Sequence, residues 1–460
     1  AEAIRDDVVG LLRETAPDTP VSQLPDVPTL VYTAAKSLPR QLRDQPGLHA
    51  ELLYTLGNVL RDMGDLPHSE ALLKEAETIT MNLPAESPVR VATEVGMTRT
   101  LVRRSDYDGA ARRIAALLAI PARQLPEDDP RAELLKIGMV VADGRGQMDL
   151  AVSRGREMLD AYRADCAAGR RCDELSSATH DFASVLLDAD RIAEAQTLAD
   201  ETLRLRLHGA TPMNLANAYD LQSKIALYRG ELGVADLDAR KTATLVNSLG
   251  NGLKRKPLEP QIQRIEVLLA EERAGEGEAS IAALLATQRA RKASRCELAW
   301  TEMQQARDEL LLERSQDAAA TAATAVGDGN SCHRDIVRDV TVTLAELVRG
   351  RALAATGDIA SAAAIHAAAS KRSATVHADD PLSWPLYLVE SMRLATALGR
   401  PGDAAGDART LIAALDRAAS PATHPWRIEA QLALAAASAD PSARAAIGSP
   451  AFDASLAKIR

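Results

Sequence analysis

The amino-acid sequence predicts an all-α solenoid of about nine helix hairpins with a period of roughly 42 residues. Three observations support this fold class. The chain has 460 residues, more than one compact core usually contains. Alanine and leucine dominate it, and aromatic residues make up only 3% of it, which is typical of helices packed through small side chains. One pattern also recurs along most of its length.

The recurring pattern is a helix, a short turn that contains glycine or aspartate, and a small residue that opens a second helix. The small residues stand 41, 41, 44, 40, 127 and 42 positions apart. The long interval equals three periods, so we expect two further second helices at Glu278–Ala290 and Gln316–Val326. The small residues in question are Ser69, Ala110, Ala151, Ala195, Ala235, Ala362 and Ala404.

The ends of the chain differ from its middle. Residues 1–46 are predicted to hold an amphipathic helix over Ala1–Glu14, a proline-rich crossing and a lead-in helix. Residues 47–424 form the helical repeats in this interpretation, and residues 425–460 form capping helices and a tail. A solenoid needs such caps because its terminal repeats lack one neighbour.

Charge and hydropathy limit the kinds of partner that we expect the chain to bind. The net charge of −10 disfavours binding to nucleic acid, which needs clustered lysine and arginine. The one compact basic run, Lys254-Arg255-Lys256, is interpreted as a solvated loop. No stretch of 18 apolar residues is present, so we expect membrane attachment only through a helix upstream of this chain. No motif for a cofactor is recognisable.

The four cysteines fall into two pairs. Cys166 and Cys172 lie at a seam between repeats, and Cys296 and Cys332 lie at the neighbouring ends of one hairpin. Each pair is predicted to form a disulfide, which favours an oxidising compartment. The alternative is four reduced thiols. A metal site is not expected, because the spacing of the first pair is unlike a zinc knuckle and no histidine lies nearby.

No catalytic site is expected. The eight histidines are scattered over separate repeats, and no nucleophile elbow or phosphate-binding loop is present. The predicted binding surface is instead the concave face, which the first helices of stacked hairpins line. On that face we expect Asn58, Arg61, Arg99, Arg103, Asn217, Lys224, Tyr228 and Arg351 to contact a protein or peptide.

The repeats resemble the tetratricopeptide repeat (TPR) in its long-helix variant. The best match runs over Leu48–Thr80, where Gly57 and Ala76 stand at positions that the family fills with small residues. The unit around Gly350, Gly357, Ala362 and Ala369 is similar. This resemblance implies a TPR-like fold that binds other proteins.

The first 80 or so residues carry a second resemblance. The stretches AEAIRDDVVGLLRETAPD and DQPGLHAELLYTLGNVLRDMGDLPHSEALLKEA resemble the segment after the membrane helix in bacterial membrane-anchored serine/threonine protein kinases with C-terminal TPR arrays. The resemblance implies a periplasmic sensory region without the kinase itself. A small-molecule signal and a homodimer stay open, and the alternative is a cytosolic TPR scaffold or the repeat module of a transcriptional regulator.

Overall fold

The computed structural model describes residues 27–37, 45–121, 131–207, 209–249, 258–332, 335–379 and 383–438. Four predicted features lie wholly or mostly outside these residues: the Ala1–Glu14 helix, the proline-rich crossing that follows it, the Lys254-Arg255-Lys256 run and the tail after Ser438. The chain divides into unit 1, up to Ala178, and unit 2, from Thr179. This division falls inside one helix, α8, and each unit is treated by itself below.

Within the described residues, the chain forms twenty helices and no strand. In unit 1, a lead-in helix is followed by hairpins made of α2 with α3, α4 with α5, and α6 with α7; α8 crosses the division and forms a hairpin with α9. Their bounds are α1 Val27–Ser37, α2 Pro46–Asp62, α3 Leu66–Thr80, α4 Pro88–Arg103, α5 Tyr107–Leu118, α6 Arg131–Gly144, α7 Met148–Ala167 and α8 Cys172–Asp188.

In unit 2, the hairpins continue in pairs up to α19, and a single helix, α20, follows them. The two helices of these later hairpins pack against each other. Their bounds are α9 Ile192–Arg206, α10 Pro212–Arg229, α11 Leu232–Ser248, α12 Glu259–Ala270, α13 Ala274–Ala290, α14 Arg295–Leu311, α15 Ser315–Gly329, α16 Asp335–Ala355, α17 Ile359–Asp379, α18 Trp384–Ala397, α19 Pro401–Arg417 and α20 Pro425–Ala437.

Each hairpin turn contains one residue in the left-handed region, with a positive φ. These residues recur every 40 to 44 positions and therefore mark the repeat directly. Glycine has no Cβ and occupies five of the nine positions, as expected for this conformation. The next residue precedes the second helix, and in three hairpins it is an aspartate, Asp65, Asp106 or Asp358, that caps that helix. The nine residues are Gly64, Ser105, Gly146, Asp190, Gly230, Glu272, Glu313, Gly357 and Gly399.

The predicted small residues lie in the packed joints between helices. All seven of them are buried, with at most 1% of their surface exposed. Gly277 and Ala318 hold the same place in the two hairpins that the pattern left unfilled, and both are buried. The second helices there are Ala274–Ala290 and Ser315–Gly329, so each begins before the predicted start.

Leucine, valine and alanine make up most of the core in each unit. In unit 1, Leu53, Leu60, Leu72 and Ala76 form one cluster. In unit 2, the largest cluster joins residues from α14 to α20. The predicted all-α, TPR-like fold is therefore confirmed. No helix in the described ranges is long and apolar enough to cross a membrane.

Candidate binding face

The predicted contact residues of unit 1 are largely engaged within the unit. The Arg61 side chain lies on α2 and is mostly buried, and its Nη1 donates to Asn58 Oδ1 at 2.5 Å. Its Nη2 donates to Asp62 Oδ1 at 2.9 Å. Because Asn58 and Arg61 bind each other, neither residue offers its full hydrogen-bonding capacity to a partner.

Arg99 connects two first helices. It lies on α4 and pairs with Glu133 on α6, and the Tyr162 hydroxyl donates to the second oxygen of Glu133 at 3.3 Å. Burial would lower the pKa of Arg99, but the Glu133 carboxylate more than offsets this, so the pKa is raised. Arg103, one turn further along α4, is exposed.

Three predicted residues lie on α10 in unit 2. Asn217 and Lys224 are exposed, and Lys224 pairs with Asp220 at 3.0 Å. The Tyr228 hydroxyl donates to Asp190 Oδ1 at 2.9 Å. Arg417 Nε on α19 donates to the other oxygen of Asp190 at 3.2 Å, although the two residues are 227 positions apart. Asp190 therefore joins the turn after α8 to both α10 and α19.

Arg351, the last predicted residue, lies on α16 beside a buried carboxylate. Its Nη1 donates to Glu390 Oε2 on α18, and Arg307 Nε on α14 donates to Glu390 Oε1 at 3.1 Å. Arg393 Nη1 approaches the same oxygen at 3.6 Å. Burial by itself would raise the pKa of Glu390, but these three guanidinium groups together lower it to about 2.

A second ion pair extends this cluster to α20. Arg393 binds Glu429 through two parallel hydrogen bonds, of 2.7 Å from Nε and 2.8 Å from Nη2. This bidentate geometry is the strong form of an arginine–carboxylate contact. The pKa of Arg393 is accordingly raised, since the carboxylate charges outweigh the burial that would lower it. First helices α14, α16 and α18 and the single helix α20 are thus linked by charge.

Sequence reasoning missed this cluster. Arg307, Glu390, Arg393 and Glu429 look like ordinary solvated positions on helices. One signal was available, because Glu390 stands alone in the apolar run Trp384–Met392, where an isolated acid predicts a buried partner.

Next to the cluster is a cavity of about 830 Å³, which we term the inner cavity. Side chains of the first helices α14, α16 and α18 and of α20 form most of its wall, with Glu272 and the turn after α14 at its edge. Its volume falls in the range of sites for small ligands and short peptides. The lining residues are Glu272, Leu310, Leu311, Glu313, Ser315, Arg351, Ala354, Ala355, Met392, Arg393, Thr396, Ala397, Glu429, Leu432, Ala433 and Ala436.

A serine, a histidine and an aspartate meet in unit 2, but not as a nucleophilic triad. Ser391 Oγ donates to Asp407 Oδ2 at 2.7 Å, and His366 Nε2 lies 3.4 Å from Ser391 Oγ. In a triad the carboxylate orients the histidine, whereas here it binds the serine. Ser391 and His366 are buried between α17, α18 and α19, so a substrate has no access to the hydroxyl.

Both predicted cysteine pairs lie at disulfide distance. Cys166 and Cys172 connect the end of α7 to the start of α8, with an S–S distance of 2.13 Å. Cys296 and Cys332 connect the start of α14 to the segment after α15, at 2.02 Å. Within the part of the chain that the structure describes, no cluster of three or more metal-binding side chains occurs.

No family model and no curated protein matches the chain. Among solved structures, it is similar to a Rap protein complexed with Competence and Sporulation Factor, at 9% identity and a TM-score of 0.49, over 80% of this chain and 99% of that one.

Two other solved structures are similar. One is a tetratricopeptide repeat protein from Parabacteroides merdae, at 13% identity and a TM-score of 0.41, over 64% of this chain and 98% of that one. The other is the APC/C hetero-tetramer Cut9–Hcn1, at 13% identity and a TM-score of 0.40, over 95% and 83%. At these identities the likeness concerns the fold alone.

Proposed function

We propose that this chain is a non-catalytic repeat region that binds a protein or peptide partner on the inner face of its first helices. The observation that carries the proposal is the inner cavity of unit 2, which combines apolar walls with a few charged groups. Binding sites for peptides and small ligands have this composition. Repeat proteins also place their ligands on the surface that successive first helices share.

The finer proposal is a periplasmic sensory region of a membrane-anchored serine/threonine kinase. Two observations support it: the resemblance of the first 80 or so residues to the corresponding region of such kinases, and two cysteine pairs at disulfide distance. Disulfides persist mainly in oxidising compartments, whereas a cytosolic scaffold would keep its thiols reduced. In this role, occupancy of the inner cavity regulates the attached kinase.

Binding is tested with a library of random octapeptides presented to the full chain. Ala436 lines the inner cavity and is exposed, so Ala436→Trp fills the cavity from one side. Ala320→Trp is the matched control, because Ala320 is an exposed helical alanine on second helix α15. We expect enriched peptides that bind the unaltered chain and the control but not the filled variant. If no peptide distinguishes the variants, the proposal is wrong.

The periplasmic location and the attachment to a kinase are tested by separate experiments. The intact mass of the chain purified from its native source, without reductant, should lie about four hydrogens below that of the reduced chain. An unchanged mass would favour the cytosolic alternative. The coding sequence upstream of Ala1 should specify a membrane helix preceded by a kinase domain, and a gene that lacks both would overturn the kinase proposal.

A further inference from the structure

The inner cavity lies where three helices end. Each of α14, α16 and α18 places its last two residues on the cavity wall, and the final ones are Leu311, Ala355 and Ala397. In the described part of the chain, no backbone N–H binds the carbonyl groups of these three residues. A helix C-terminus carries a partial negative charge, so three such ends give the cavity a negative potential.

The side chains at the cavity add to this potential. Glu272 and Glu313 are exposed at its edge, in the left-handed turn positions that glycine fills in most other hairpins. Glu272 lies 3.9 Å from Arg393, beyond hydrogen-bonding distance. Arg314, next to Glu313, pairs with Glu278 instead. The edge of the cavity therefore holds two exposed carboxylates, of which Glu272 forms only a long ion pair, with Arg393.

The arginines that line the cavity do not cancel its negative potential. Arg351 is held by Glu390, and Arg393 is held by both Glu390 and Glu429. Counting Arg307 behind them, three guanidinium groups face four carboxylates, and the edge supplies two of these four, Glu272 and Glu313. A carboxylate ligand would have to displace Glu390 from Arg351, whereas a cation meets the exposed carboxylates of Glu272 and Glu313 at the edge.

The remaining wall is mostly apolar, with Ser315 and Thr396 as its polar members. Its apolar side chains include Leu310, Leu311, Met392, Leu432 and Ala433. A lysine or arginine side chain likewise has an apolar and a charged part. Its methylene stem packs on apolar surface while its head keeps polar contacts.

We infer that the inner cavity receives a lysine or arginine side chain from an apolar segment of the partner peptide, with the cationic head between Glu272, Glu313 and the helix C-termini. This inference rests on the proposed function, because it names the chemistry that the same surface recognises. The stem of that side chain lies along Leu310, Leu311 and Met392, and the flanking residues of the peptide contact α20.

Three synthetic peptides test the inference: acetyl-Ala-Leu-Ala-Lys-Ala-Leu-Ala-amide, and the same peptide with norleucine or with glutamate in place of lysine. Each is titrated into the full chain labelled with ¹³C at the methionine methyl groups. Met392 lines the cavity and reports occupancy, while Met97 and Met139, buried in unit 1, are internal references.

We expect the lysine peptide to shift the Met392 signal and to bind roughly tenfold more tightly than the norleucine peptide, with an affinity that falls as salt is added. Glu272→Gln combined with Glu313→Gln should weaken binding by about threefold to tenfold. Glu51→Gln combined with Glu86→Gln removes the same charge from exposed positions of unit 1 and should leave the affinity unchanged.

Equal or tighter binding of the glutamate or norleucine peptide would overturn the inference, as would a Met392 signal that no peptide moves. Self-association of the chain that Ala436→Trp abolishes would place a second copy in the cavity and overturn it as well. If library peptides bind in a cavity-dependent way but lack lysine and arginine, the inference fails while the proposed function stands.

Discussion

Glu390 on α18 accepts a hydrogen bond from Arg307 on α14, so one carboxylate joins first helices that are two hairpins apart. Both side chains are buried, the carboxylate completely. Buried charges are stable only with their partners, because desolvation penalises each of them alone. The inner face of unit 2 therefore depends on a balanced set of charges and not only on apolar packing.

Glu390→Gln should destabilise unit 2 by about 3 to 5 kcal/mol, because it leaves Arg307 buried with no full countercharge. The control is Glu278→Gln, which breaks an exposed pair with Arg314 and should destabilise unit 2 far less. All three tryptophans, Trp300, Trp384 and Trp426, lie in unit 2, so tryptophan fluorescence during urea unfolding reports on this unit. Equal losses for the two variants would contradict the account of the cluster.

Gly230→Ala should destabilise unit 2 by about 1 to 3 kcal/mol more than Gly399→Ala. Both glycines occupy left-handed turn positions, with φ of 72° and 66°, so alanine strains the backbone in each case. At Gly230 the new Cβ would also lie 1.9 Å from Cδ2 of the His424 ring, whereas at Gly399 nothing lies within 4 Å.

The same urea titration, followed by tryptophan fluorescence, measures both glycine variants. The additional loss of unfolding free energy in Gly230→Ala, relative to Gly399→Ala, measures how well the turn after α10 packs against His424, which caps α20. If the two glycines tolerate alanine equally, that packing contributes nothing to the stability of unit 2.

Removal of the disulfides should destabilise the chain to different extents. In a chain-entropy description, the link between Cys296 and Cys332 closes a loop of 36 residues and contributes about 4 kcal/mol. The link between Cys166 and Cys172 closes only 6 residues and contributes about 2 kcal/mol. Paired serine substitutions, followed by far-ultraviolet circular dichroism in urea, should show this order, and the reverse order would contradict it.

Asp407 should make unit 2 less stable as the pH rises. Burial raises the pKa of its carboxyl to about 6 in the folded chain, against an ordinary value of 3.8. Below about pH 4 both states are protonated, whereas between about 4 and 6 the folded state binds more protons. The unfolding free energy therefore falls over that window and stays low above it.

Asp407→Asn removes this loss, so the variant should gain on the order of 2 kcal/mol relative to the unaltered chain between pH 4 and pH 7. The comparison must be a difference between the two chains, because His424, whose pKa burial lowers to about 4, acts in the opposite direction in both. A difference that does not change with pH would show that Asp407 keeps its charge throughout.

The repeat could be predicted from the sequence because it depends on local chemistry. Gly64, Gly146 and Gly357 identify turns, since glycine adopts the left-handed conformation readily. The hairpins with Glu272 and Glu313 at this position gave no such signal, and only the arithmetic of the interval located them. Their helix starts were accordingly predicted a few residues late.

The ion pairs of the first helices could not be predicted from the sequence. Helical periodicity indicates which side of a helix Arg351 occupies, and Arg351 lines the inner cavity; its contact with a partner stays a prediction. Its partner Glu390 depends on how α16 and α18 meet, which periodicity does not specify. For the same reason, periodicity did not indicate that Arg99 pairs with Glu133.

The central claim is that a partner binds the inner face of the first helices, and amide hydrogen exchange tests it most directly. With the strongest library octapeptide bound at saturation, exchange should slow in the C-terminal halves of α14, α16 and α18 and in α20, and stay unchanged in second helices α15, α17 and α19. Slower exchange confined to those second helices, or no change in any helix of unit 2, would contradict the account.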